Sequence, residues 1–217
     1  MVTDPSVLEG DSSSDSSVAS TILRRARDGD QSAFQRLVTL YAGLVYHWCR
    51  RAGLTPEDAE DVGQQVFLSV SCGLTGFRRD ETNGSFRGWL RTITRTRLLD
   101  HFQEYRQREL AAGGDVSWNE PTITYHDREL PEDEEPSEKK MVYEQALALV
   151  RGVFSEQDFQ AFHQVVLEGA SPREVAAELG VSVNSIYIAK SRILKRLRDE
   201  FGDLLGGDPI DTLHGHQ

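Results

Sequence analysis

The side chains best suited to reading a chemical target lie between residues 182 and 198. Asn184, Ile188, Ser191 and Lys195, flanked by Tyr187 and Arg192, share one side of a helix at about 100° per residue. An amide such as Asn184 can pair with the edge of adenine, and a guanidinium such as Arg192 with guanine. An aliphatic side chain such as Ile188 can meet a thymine methyl. Lys195, with Arg196 and Arg198 further along, suits phosphate oxygens. Ser182 and Ser185 open this helix and complete the candidate set. Its opposite side carries Ile186, Ala189, Ile193 and Leu197, an apolar stripe that must face a core. An ordinary solvated face is the plainer alternative, but it gives no reason for an outward Ile188.

Such a face is useful only if the helix is held at a fixed angle. Ser171-Pro172-Arg173-Glu174 has the form of a helix start: a capping serine, proline at the first position and glutamate at the third. Val175, Ala176 and Leu179 point inward. Gly180 can take the left-handed conformation that stops a helix, and Ser182 caps the next one almost at once. Two short helices around a tight glycine turn make a helix-turn-helix, whose second helix enters the major groove.

A second basic cluster lies upstream. Residues 86–108 hold six arginines against two acids, so the net charge of −11 does not exclude a nucleic-acid partner. Arg87, Arg91 and Arg95 recur every four residues, with Thr94 and Arg97 beside them, predicting a basic stripe on one helix. Phe86 and Trp89 read as core in preference to base-stacking platforms. Asp30 is placed to cap a preceding helix carrying Phe34, Leu37, Val38, Tyr41, Leu44, Val45 and Trp48, closed by Gly53. Thr55-Pro56 opens another, with Ala59, Val62, Val66, Phe67 and Val70 inward. Opposite them stand Asp61, Gln64, Gln65 and Leu68, a polar row into which Leu68 does not fit as mere solvated surface.

The expected architecture is all-α: two small helical domains, residues 21–110 and 141–205, joined by a flexible acidic linker over 111–140. A serine-rich tail (1–20) and a glycine-rich tail (206–217) flank them. The linker carries nine acids against three bases, with prolines that break structure. Extended, it would reach at most roughly 100 Å and let the domains sit far apart. In the second domain Val142, Ala146, Leu149, Val150 and Val153 form one expected stripe. Phe159, Phe162, His163 and Val166 form another, on a helix capped by Ser155.

Enzymatic motifs are missing: there is no GxxxxGK loop, HExxH or CxxC. Cys49 and Cys72 cannot by themselves build a disulfide framework or a four-ligand zinc site, and no metal or cofactor is expected. The apolar runs are too short to span a bilayer, and the N-terminus lacks the form of a signal peptide. A cytoplasmic protein without membrane insertion is the expectation.

The words EGASPREVAAELGVSVNSIYIAKSRILKRLRDE resemble region 4 of bacterial RNA polymerase sigma factors. DQSAFQRLVTLYAGLVYHWCRR, PEDAEDVGQQVFLSV and FRGWLRTITRTRLLD resemble region 2, in the compact extracytoplasmic-function (ECF) branch. The resemblance implies core RNA polymerase and promoter DNA as partners, and leaves room for an anti-sigma factor. It implies that Asp61, Gln64, Gln65 and Leu68 dock on the polymerase clamp, with Gln65 where the family has Glu. It implies further that Arg87, Arg91, Thr94, Arg95 and Arg97 serve the −10 element as single strand, and that the downstream helix-turn-helix binds the −35 duplex. Thr96 stands where the family has Asn. Two rival readings are a stand-alone helix-turn-helix regulator, which would need a sensor or dimer interface in the first half, and an acidic protein that sequesters a sigma factor or polymerase.

Overall fold

The computed structural model describes residues 21–77, 85–111 and 136–205. Among them are eight α-helices and no strand: α1 (Thr21–Arg27), α2 (Gln31–Arg51), α3 (Pro56–Gly73), α4 (Phe86–Ala111), α5 (Pro136–Val150), α6 (Glu156–Phe162), α7 (Pro172–Leu179) and α8 (Val183–Leu205). The all-α expectation holds. The tails 1–20 and 206–217 lie outside the described residues, as do 112–135, most of the expected linker. At the ends of that linker, Ala111 closes α4 and residues 136–140 are the first turns of α5.

Local chemistry sets the helix starts. Asp30 caps α2, its carboxylate accepting from the Ser32 and Ala33 backbone N–H groups. Its ionised form is also held by the Ser32 hydroxyl and by Arg25, so its pKa falls well below the usual carboxylate range. Thr55 caps α3, with Pro56 at the first position. Ser155 caps α6 by accepting from the Asp158 N–H. Each cap satisfies a donor that a helix start would otherwise leave unpaired.

Helix α2 is the hub, packing on α1, α3, α4 and α5. That explains why its buried set is wider than the single stripe expected. Leu40 and Cys49 are buried along with Leu37, Tyr41, Leu44, Val45 and Trp48. Ala59, Val62, Val66 and Val70 of α3 meet the core as the periodicity requires. Close to the α3–α4 contact, Gly73 leaves room for the Trp89 ring, because a Cβ there would stand 3.1 Å from it. Phe77, Phe86 and Trp89 form an aromatic cluster at the start of α4, with Tyr41 5.2 Å from Phe86 between ring centroids.

Two downstream stripes differ from expectation. Val142, Ala146 and Val150 are buried on α5, but Val153 is exposed, because the helix gives way to a 3₁₀ turn over Arg151–Val153. After α6 the chain widens into a π-helical turn, His163–Leu167. The extra residue per turn carries Val165 and Val166 inward and leaves His163 outside, beside Glu168.

The halves do not stand apart in this structure. α5 packs on both α2 and α8, and α8 also reaches α1, so one continuous core runs through the described residues. No described helix is long and apolar enough to cross a membrane.

Candidate nucleic-acid interface

The downstream site is built from its caps. Ser171 and Glu174 make a reciprocal capping box at the start of α7. Gly180 closes that helix with φ +65°, and Val181 turns back to donate its N–H to the Ala176 carbonyl, at 3.0 Å. Ser182 then accepts from the Ser185 N–H at the start of α8. Two amides pin α7 to the helix before it: Gln157 donates to the Leu179 carbonyl and Gln164 to the Glu178 carboxylate. The turn end of α7 is therefore braced twice against the chain before it.

On α8, Ile186, Ala189, Ile193 and Leu197 are buried, joined by Leu194, Phe201, Leu204 and Leu205. Ser182, Asn184, Ser185, Tyr187, Ile188, Ser191, Arg192 and Lys195 are all exposed. This places amide, guanidinium, ammonium and two large apolar groups on one open surface. The apolar pair, Tyr187 and Ile188, is exposed against the usual preference of a solvated helix.

The row on α3 is open too. Asp61, Gln64 and Gln65 are exposed, and Leu68 is 67% exposed. An isolated apolar side chain on a polar face suits a partner that covers it.

The arginine row on α4 is different, because the core and α5 cover much of it. Arg87 is only 4% exposed, and Thr94 is fully buried, its hydroxyl donating to the Leu90 carbonyl. Both lie on the flank of α4 that carries Phe86, Leu90 and Leu98 into the core. Arg91 is mostly covered. Its guanidinium pairs with Glu138 of α5 and stands 5.0 Å from the Trp48 ring centroid. Arg97 is half-engaged, donating to Ser69 of α3 and to Asp100. Arg95 is exposed, as are Thr92, Thr96 and Leu99 beside it.

Sequence reasoning missed Glu138. It sat in the acid-rich run taken as linker, yet it is 1% exposed. It accepts from Trp48 Nε1 at 2.8 Å and from Arg91. The available signal was its phase, since Glu138 stands four residues before Val142 and eight before Ala146. Also missed were the Arg36–Glu200 pair and the hydrogen bond from the Tyr41 hydroxyl to the Leu204 carbonyl, 2.7 Å. That carbonyl is among the last of α8, which lack partners within the helix.

A helical protein with an exposed helix-turn-helix face defines a DNA-binding class. Comparison narrows it. Residues 37–108 match the family described as sigma-70 region 2. The RNA polymerase sigma factor NccH of Alcaligenes xylosoxydans xylosoxydans is 28% identical over 84% of this chain and 94% of its own length. The RNA polymerase sigma factor CnrH of Cupriavidus metallidurans is also 28% identical, over 85% and 92%. A solved structure of CnrH in complex with the cytosolic domain of CnrY aligns with 81% of this chain and 92% of that one, at 22% identity and a TM-score of 0.34. The chain is thus similar to RNA polymerase sigma factors over most of its length, and to sigma-70 region 2 over residues 37–108.

Proposed function

We propose that this chain is an ECF-type sigma factor that directs RNA polymerase to promoters, with promoter recognition divided between its two halves. In this reading residues 21–110 form the unit that docks on the polymerase clamp and holds the −10 element. Residues 141–205 form the unit that reads the −35 duplex. The exposed α8 face, set on a doubly braced helix-turn-helix, carries the assignment. Asn184, Tyr187, Ile188, Ser191 and Arg192 meet base edges, while Ser182, Ser185 and Lys195 meet the backbone. Asp61, Gln64, Gln65 and Leu68 meet the polymerase, supported by their exposure on one side of α3.

On α4 the −10 role falls first to exposed Arg95, with Arg97 beside it and Arg91 joining once uncovered. Arg87 and Thr94 support the helix from within. Captured single strand supplies base faces and edges that a duplex hides.

Promoter-dependent transcription with purified core polymerase tests the scheme. The chain should confer it, and changing Asp61 and Gln64 together to Ala should weaken core binding without altering helix content. Unchanged core affinity in that titration would remove α3 as the docking face.

A further inference from the structure

Two unfavourable features meet where the chain leaves α6. One is the π turn over His163–Leu167, a conformation that an ordinary helix avoids. The other is the side chain of Gln164 within it. Its Nε2 donates to the Glu178 carboxylate of α7 at 3.1 Å, but its Oε1 is buried and accepts from no described residue. A buried amide oxygen without a donor destabilises a fold, and an apolar side chain of similar size would remove that cost. Stability therefore gives no reason for an amide at this position.

Geometry gives one. α7 has eight residues, of which only Val175 and Ala176 are fully buried, so little apolar packing fixes its angle. Gln157 and Gln164 stand seven residues apart on one side of the preceding segment, about 10 Å along a helix. From these two points they converge on neighbouring residues of α7. Gln157 donates to the Leu179 carbonyl, 3.0 Å away, and Gln164 to Glu178. The Leu179 carbonyl lies in the last turn of α7, where a helix supplies no partner of its own. Gly180 follows at once, and Ser182 caps α8 two residues later. Whatever fixes Glu178 and Leu179 thus fixes the turn from which the exposed face of α8 is aimed.

We infer that Gln157 and Gln164 are positioning residues for sequence reading, a pair of amide struts that set the angle of α7 and, through the turn, that of α8 on DNA. The inference rests on the −35 reading proposed above. Side chains that pair with base edges tolerate little misplacement, about 0.5 Å and 10–20°. A flexible lysine on a phosphate tolerates more. Loss of a strut therefore lowers discrimination between sequences and leaves general DNA affinity in place.

The test uses the full chain assembled with core RNA polymerase. Wild type first selects duplexes from a randomised pool. Binding is then measured to a selected duplex and to a scrambled one of equal composition. Gln164→Leu should lower the preference for the selected duplex about tenfold, the worth of one base contact, with affinity for the scrambled duplex unchanged. Its Tm should equal or exceed that of wild type, because the buried oxygen is gone and exposed Glu178 turns to water. Gln157→Ala should lose preference in the same way. Glu178→Gln and Glu178→Ala remove the same charge, but only the first keeps an acceptor for Gln164. The first should retain the preference and the second should lose it.

Full preference in both Gln164→Leu and Gln157→Ala would overturn the inference. So would a loss of preference matched by a fall in Tm, which would make Gln164 ordinary structural support. Equal losses in the two Glu178 variants would make charge the agent and overturn it as well. Hydrogen exchange gives a readout that needs no DNA. The Val181 amide, bonded to the Ala176 carbonyl, should exchange faster in the double variant Gln157→Ala/Gln164→Leu, while the amides of buried Ile193 and Leu197 keep wild-type protection. If wild type selects no sequence, the −35 reading fails and the positioning role with it. Unchanged exchange at Val181 overturns the struts on their own.

Discussion

Two basic rows, one on α8 and one on α4, look alike as sequence and meet opposite fates. Each repeats on a helix at spacings that gather its members on one side. On α8 the row opposes a continuous apolar stripe, and every member is exposed. On α4 the arginines share their flank with Phe86, Leu90 and Leu98, so Arg87 and Thr94 sink into the core and Arg91 is covered from α5. Periodicity says which residues travel together on a helix. Only the neighbouring elements say whether that side meets water.

The contrast predicts opposite signatures for the same substitution. Arg91→Ala removes one partner of a buried pair and strands the Glu138 carboxylate, which should cost about 3–5 kcal/mol in a urea titration. Arg192→Ala, on the open row, should change stability by no more than about 0.5 kcal/mol. Equal stability losses at the two sites would erase the distinction.

DNA binding should reverse the order. Arg192→Ala or Asn184→Ala should cost about 1–3 kcal/mol against a −35 duplex, with relaxed preference at one base pair. Lys195→Ala should weaken binding to all sequences and reduce the salt slope by about one. Wild-type affinity in all three variants would mean that the open row on α8 is not the reading surface.

A smaller effect is expected where α7 and α8 are braced. Ser171→Ala deletes half of the capping box and should cost about 1 kcal/mol. Thermal unfolding would register it as a modest drop in Tm, whereas an unchanged Tm would mean that tertiary packing alone fixes the turn. The gentlest probe is chemical. Burial pushes the Cys49 thiol up to about 11, so it carries little thiolate at pH 8 and is shielded besides. Iodoacetamide should modify exposed Cys72 in the native chain and reach Cys49 only after denaturant is added. Rapid labelling of both would show that the α2 hub opens readily.

Much of the fold was legible because its signals are local. Asp30, Thr55, Ser155 and the Ser171–Glu174 pair cap the helices that their types and spacing announce. Gly180 supplies the one left-handed residue that the helix-turn-helix needs. The exposed rows on α3 and α8 follow from apolar stripes on the opposite sides, a pattern contained within about two turns of chain. The π turn after α6 was not legible. Its single extra residue leaves no mark in residue type, yet it rotates His163 from the expected buried stripe to the surface.

By itself, then, the sequence determined the helices, their caps, the exposed face of α8 and the family resemblance, because each rests on neighbours within a few residues. The tertiary structure alone decided the fate of Glu138, Arg91 and Trp48. A glutamate in an acidic run is indistinguishable from its neighbours until α5 docks on α2. Its meaning then comes from an indole 90 positions away and a guanidinium 47 positions away, both brought to one carboxylate by packing.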